Sequence, residues 1–182
     1  MKAFATLLDR LVYSPSRNTK LQLLQDYFRN TPDPDRGWAL AALTDGLPFS
    51  FPVRRTIMEL MEQRLDAELF RLSRDYVGDT AETVALVWPD PAEPQEPPRL
   101  SEVISKLGLI DTQELGDTIA PWLDCLDVNG RWALLKLLTG ALRVGVSARL
   151  AKTAVAAVAG HSVDEVEEGW HALTPPYTPL FD

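Results

Sequence analysis

Residues 131–152 read RWALLKLLTGALRVGVSARLAK, and this stretch decides the fold. It predicts a helix over 129–139, a loop in which Gly140 and Gly145 bracket Arg143, and a small-residue helix from Ser147. Glycine can take φ > 0 and lets another backbone come close. A helix that starts just after a glycine turn presents free N–H groups and a positive dipole end. That is a ready site for a phosphate. Arg143, in the same loop, adds the means for a charge-assisted bond to a phosphate oxygen. The motif points to a protein that holds a nucleic-acid backbone.

The first half of the chain carries a counterpart. GWALAALTDGLPF begins at Gly37 and RWALLKLLTGALR at Arg131. Trp-Ala-Leu recurs at Trp38 and Trp132, and a glycine follows eight residues later at Gly46 and Gly140. After each glycine come a short loop and a helix with basic residues, Arg54 and Arg55 in one half, Arg149 and Lys152 in the other. Two such hairpins related by an approximate two-fold would grip both strands of a duplex at similar phosphates. Trp-Ala-Leu is also a common helix-core pattern, and chance resemblance is the competing explanation.

Outward from these hairpins the chain reads as helix throughout. Met1 to Tyr13 places Phe4, Leu7, Leu8, Leu11 and Val12 at helical spacing. Asn18 or Thr19 caps a second helix through Phe28, with Leu21, Leu24, Tyr27 and Phe28 inward. Asp33 and Pro34 supply the cap and first position of a third, which Gly46 ends. Pro52 opens a long helix to about Arg74, and Gly78-Asp79 caps another through Trp88. Helices follow over 101–107, 112–126, 129–139, 147–159 and 162–173. The expected fold is all-α, a two-lobed domain of about ten helices. The lobes are expected at 1–88 and 99–174, divided by the Pro-rich loop 89–98, with 175–182 an exit linker.

Composition narrows the function classes. A hydrophobic fraction of 46% over 182 residues is enough for a real core. No apolar run reaches the roughly 18 residues of a membrane span. Asp9 and Arg10 interrupt the N-terminal apolar stretch, which therefore reads as an amphipathic helix rather than a signal peptide. The lone Cys125 cannot form an internal disulfide, which fits a reducing cytoplasm. Net charge is −8, but its distribution is uneven. From Val128 to Val163 there is no acid, only Arg131, Lys136, Arg143, Arg149 and Lys152. The first thirty residues are also net basic, and the acids gather over 59–68, 90–96, 111–127 and 164–168. A basic face with an acidic back is the footprint of a backbone binder. Charges scattered on a solvated surface are the plain alternative.

Three segments of the chain resemble a known family. Leu142-Arg143-Val144-Gly145, preceded by Gly140 and followed by an alanine-rich helix, resembles the Leu-Arg-Ile-Gly segment in the N-terminal DNA-binding domain of ATP-dependent DNA ligases. Arg74-Asp75-Tyr76-Val77-Gly78-Asp79 resembles the Asp-Leu-Gly-Asp segment before that domain's middle helix, with Tyr76-Val77 replacing the usual Leu. Leu100-Ser101-Glu102-Val103 resembles the segment that resumes after its central loop. Order and spacing agree over about residues 1–180.

The resemblance implies an all-α domain of a bacterial ligase that lies across the minor groove of nicked duplex DNA. It implies contacts from Gly140, Arg143, Gly145 and Ser147, the glycines through backbone N–H groups and Arg143 through phosphate or groove. A neighbouring family position is often basic but is Ala141 here. Residue chemistry adds Thr19, Lys20, Arg54, Arg149 and Lys152, of which Lys20 and Arg54 are equally readable as ordinary surface charges. None of the five lysines is followed by x-Asp-Gly, the family's nucleophile motif, and no P-loop pattern is present. His161, His171 and Cys125 make a poor metal set. The expectation is a monomeric, non-catalytic module without its own cofactor. ATP and Mg²⁺ are implied for catalytic domains of the same polypeptide. A helical protein-binding scaffold, with Trp38, Trp132 and Trp170 as core or interface anchors, is the rival from another class.

Overall fold

Short polar side chains at helix starts set most of the boundaries in the computed structural model. It describes residues 1–77, 79–90, 95–140 and 142–181, with Ala67, Arg74 and Tyr76 as backbone alone. Gly78, Ala141, Asp182 and residues 91–94 of the Pro-rich loop, all used in the sequence reading, lie outside the described residues. The described chain is all-α: α1 (Lys2–Val12), α2 (Arg17–Asn30), α3 (Asp35–Leu43), α4 (Val53–Arg64), α5 (Ala67–Val77) and α6 (Thr80–Val87) precede the loop. After it come α7 (Leu100–Leu107), α8 (Leu115–Cys125), α9 (Val128–Leu138), α10 (Ala148–Ala159) and α11 (Val163–Gly169), with 3₁₀ turns at Trp170–Ala172 and Thr178–Leu180. No helix among the described residues is long and apolar enough to cross a membrane.

Asp79, Asp127, Ser147 and Ser162 each accept a backbone N–H from the residue three positions on, satisfying amides that have no partner within the helix. Three expected boundaries are corrected by the same chemistry. The cap of α2 is Ser16, whose Oγ accepts from the Thr19 amide, so Thr19 is inside the first turn rather than at the cap. Asp33 is not a cap: its carboxylate is taken by Arg36 at 2.6 Å, and α3 begins at Asp35. The long helix from Pro52 is two helices. Leu65 is extended, and Asp66 Oδ1 accepts from the Glu68 and Leu69 amides at 3.0 Å each, starting α5 afresh.

The core is one buried cluster fed from both sides of the Pro-rich loop. α10 packs chiefly on α2, α9 on α1 and α6, α7 on α3, and α8 on α4. Helices from 1–88 and from 99–174 therefore contribute to the same buried cluster. Several apolar stripes find their complement across the sequence midpoint, while α1 with α2, α5 with α6 and α10 with α11 pack within their own half. The paired Trp-Ala-Leu segments do occupy alike environments: Ala39, Leu40, Ala133 and Leu134 are completely buried, and both tryptophans pack at the core margin.

Residues 175–181, expected as an exit linker, fold back onto the domain. Tyr177 and Leu180 are buried. Tyr177 stacks on Trp170 with ring centroids 4.6 Å apart, and Phe181 lies 5.7 Å from Phe28. The Arg36 guanidinium covers Phe181 at 4.3 Å. Gly37 permits this return, because an added Cβ would collide with the Pro176 carbonyl.

Candidate functional site

The loop between α9 and α10 turns on three left-handed residues, Gly140 (φ 70°), Arg143 (φ 50°) and Gly145 (φ 68°). The left-handed conformation costs a residue with a Cβ about 1–2 kcal/mol, so at Arg143 its surroundings must impose it. They do so through Leu142 and Val144, both buried in the core. With its neighbours anchored inward, the exposed Arg143 is presented to solvent, and it has no ion pair among the described residues.

Two distant segments brace this loop. Phe51 N–H donates to the Leu138 carbonyl at 2.9 Å, and Ser50 Oγ donates to the Thr139 carbonyl at 3.1 Å. The loop after Gly46 thus lies against the loop around Gly140, bringing the two hairpin turns together. From the other side Lys20 Nζ donates to the carbonyls of Val144 (3.2 Å) and Gly145 (2.9 Å). Lys20 stands in the first turn of α2, and Gly145 lies two residues before the cap of α10. The N-terminal turns of both helices, with their outward amides and positive dipole ends, therefore share one edge of the molecule. Exposed Arg17, Thr19, Ser147 and Arg149 surround it.

Arg54 joins from α4. It is exposed, and it lines with Arg143 a cavity of about 590 Å³ between α4, α6 and α9. Asp79 and Lys136 form an ion pair of 2.9 Å in the same wall. Burial pushes the Asp79 carboxyl up, but hydrogen bonds from the Glu82 amide and from Lys136, with the Lys136 charge, outweigh it and hold it below the usual carboxylate range.

Thus Gly140, Arg143, Gly145, Ser147 and Arg149 form one continuous loop and helix start, and Thr19, Lys20 and Arg54 are brought to it from α2 and α4. Lys20 holds the loop through its carbonyls rather than standing free. Lys152 is the exception among the expected contacts. It is turned away into an ion pair with Glu167 at 3.0 Å, lies 4.4 Å over the Trp170 ring, and is only 13% exposed. Two other cations of the acid-free window are also spent inside the fold. Lys136 is paired as above. Arg131 is buried and donates to the carbonyls of Leu123 (2.9 Å) and Trp88 (3.1 Å) and to Asp90 at 3.2 Å. Linear charge counting cannot distinguish such a cation from a surface one.

Sequence reasoning missed Arg17 and the role of Lys20 as a clip. Ser16 as the true cap was the available signal, since it moves the start of α2, and with it the first turn, to Arg17. Val12, one of the apolar residues at helical spacing in α1, is 44% exposed, and Tyr13 beside it is 80% exposed. Among the described residues no group of three or more His, Cys, Asp or Glu side chains is placed to hold a metal ion. Neither protein-family models nor curated proteins yielded a match to this chain.

Proposed function

We propose that this chain is a non-catalytic module that grips the sugar–phosphate backbone of nicked duplex DNA without reading its sequence. The observation that carries the reading is the edge where Arg143 is forced outward between Leu142 and Val144, beside the paired starts of α2 and α10. Outward amides, two positive helix ends, and Arg143 and Arg149, which have no ion pair among the described residues, suit a line of phosphates. The abutting hairpin turns and the matched burial of their Trp-Ala-Leu segments support an approximate two-fold that would address both strands. The ligase resemblance of Leu142–Gly145 agrees with this edge. On it the module is bacterial and cytoplasmic, acts in DNA repair or replication, and positions a nick for catalytic domains of the same polypeptide. Those domains would use ATP and Mg²⁺.

The test is anisotropy titration of a labelled nicked duplex at two salt concentrations, with Arg143→Glu alongside. Binding should weaken steeply with salt, since each neutralised phosphate releases counterions. Arg143→Glu should lower it on every sequence and reduce the salt slope by about 1 or more. Absence of binding at low salt would defeat the reading. It would favour the scaffold alternative, which the internal use of Arg131, Lys136 and Lys152 and the exposed Leu69 and Leu72 of α5 also suit.

A further inference from the structure

Beside the cavity shared by Arg54 and Arg143 lies a second, of about 400 Å³, walled by α1, α6 and α9. Asp79, Lys136 and Arg143 line both, so these three residues stand at the junction. Lys136 is paired with Asp79, which leaves Arg143 as the junction cation without an ion pair among the described residues. Away from the junction the walls change character. Val12, Tyr13, Leu86 and Val128 are between 40% and 80% exposed around this one concavity. Large apolar side chains gathered in water from separate helices mark a ligand surface. Ala85, Trp132 and Leu142 add to the apolar part, and Asp9, Glu82 and Asn129 complete the lining, with no side-chain hydrogen bond or ion pair to these last three among the described residues.

The lining therefore combines a guanidinium, an aromatic and apolar wall, carboxylates and an amide. Carboxylates repel phosphate, so the cavity does not simply continue a backbone track. They do accept hydrogen bonds from the amino groups of bases, and an amide matches a base edge in both directions. A volume of about 400 Å³ is also that of a small-ligand site. The cavity adjoins the phosphate edge directly, since Tyr13 is the last residue before the short turn into α2, whose first turn reaches Gly145.

We infer that this cavity receives one unpaired nucleotide of a DNA strand, with its phosphate on Arg143, its base against Tyr13 and Leu86, and its amino edge toward Asp9 and Glu82. The inference rests on the backbone-binding reading, and it would give the module a preference for interrupted or distorted duplex. The test titrates wild type and Tyr13→Ala with three probes: an intact duplex, the same duplex with one bulged 2-aminopurine, and free 2-aminopurine deoxynucleoside monophosphate. Tyr13 is 80% exposed, so its removal spares the core. The bulged duplex should bind at least about fivefold tighter than the intact one, the low end of base–aromatic stacking. That advantage should vanish in Tyr13→Ala, with intact-duplex binding unchanged. Equal binding of bulged and intact duplex by wild type, or an advantage that survives Tyr13→Ala, would overturn the inference while leaving the backbone reading in place. Binding of no DNA probe would overturn both. Free nucleotide bound as well as the bulge, and lost in Tyr13→Ala, would reassign the site to mononucleotides.

Discussion

Gly145→Ala tests whether the loop geometry depends on the clip from α2. Gly145 sits at φ 68°, where alanine is disfavoured by about 1–2 kcal/mol. Restriction of the unfolded chain returns about 0.4–1 kcal/mol of this. Gly160, at φ 76° at the C-terminus of α10, carries the same two contributions, and an added Cβ there meets nothing. At Gly145 an added Cβ meets the Lys20 ammonium. Moving that ammonium breaks its bonds to the carbonyls of Val144 and Gly145. Bonds from a charged donor are worth up to about 1.5–3 kcal/mol when shielded, but these are partly hydrated, so about 1 kcal/mol of additional loss is expected. For a domain of this size about 1 kcal/mol moves Tm by about 2–4 °C. Gly145→Ala should therefore melt about 2–4 °C below Gly160→Ala in circular-dichroism scans, with reduced DNA affinity in anisotropy. Repeating the pair in a Lys20→Met background should close the gap. Equal melting of the two alanine variants, or a gap that persists without Lys20, would refute the idea that Lys20 holds this loop.

Arg131→Met leaves the Leu123 and Trp88 carbonyls without their donor, and the exposed Asp90 contributes little. A loss on the order of 3 kcal/mol is expected in urea unfolding, and a loss under about 1 kcal/mol would contradict the bonding described. Lys152→Ala should cost about 1 kcal/mol from its ion pair and its contact with Trp170, yet leave DNA affinity near wild type. A loss of affinity comparable to that of Arg143→Glu would show that Lys152 does reach DNA. The folded Asp79 carboxyl titrates below its ordinary value of 3.8, so its contribution is present above that pH and disappears as pH falls through the lower folded value. Asp79→Asn keeps a good cap, so the stability gap to wild type should shrink below about pH 4 in acid unfolding. A gap unchanged down to about pH 2 would rule this out.

Helical class was legible because it depends on local physics. Apolar spacing at 3.6 residues marked Phe4, Leu7, Leu8 and Leu11, all of them buried. Caps at Asp79 and Ser147 stood where the sequence placed them, because a short side chain reaches its own helix amide without outside help. The loop at Gly140 and Gly145 was legible for the same reason: only glycine takes φ > 0 cheaply. Asp66 was harder to see. Its carboxylate competes with helix continuation in a segment whose apolar period runs straight through it.

The set of residues at the candidate site was less accessible. Arg131, Lys136, Arg143, Arg149 and Lys152 form one basic string in the chain. Arg131 supplies buried carbonyls with donors, Lys136 neutralises Asp79, and Lys152 covers Trp170, while Arg143 and Arg149 face solvent. Sequence by itself determined the helical class, the caps at Asp79 and Ser147, where the glycines turn the backbone left-handed and that the chain has a core. Only the tertiary structure decided which cations remain free, that Lys20 meets Gly145, that Tyr13 stays in water beside Arg143, and that residues 175–181 return to the core. Caps and φ preferences act over a few residues. Charge pairing and burial depend on which helix packs against which, and that is a property of the whole chain.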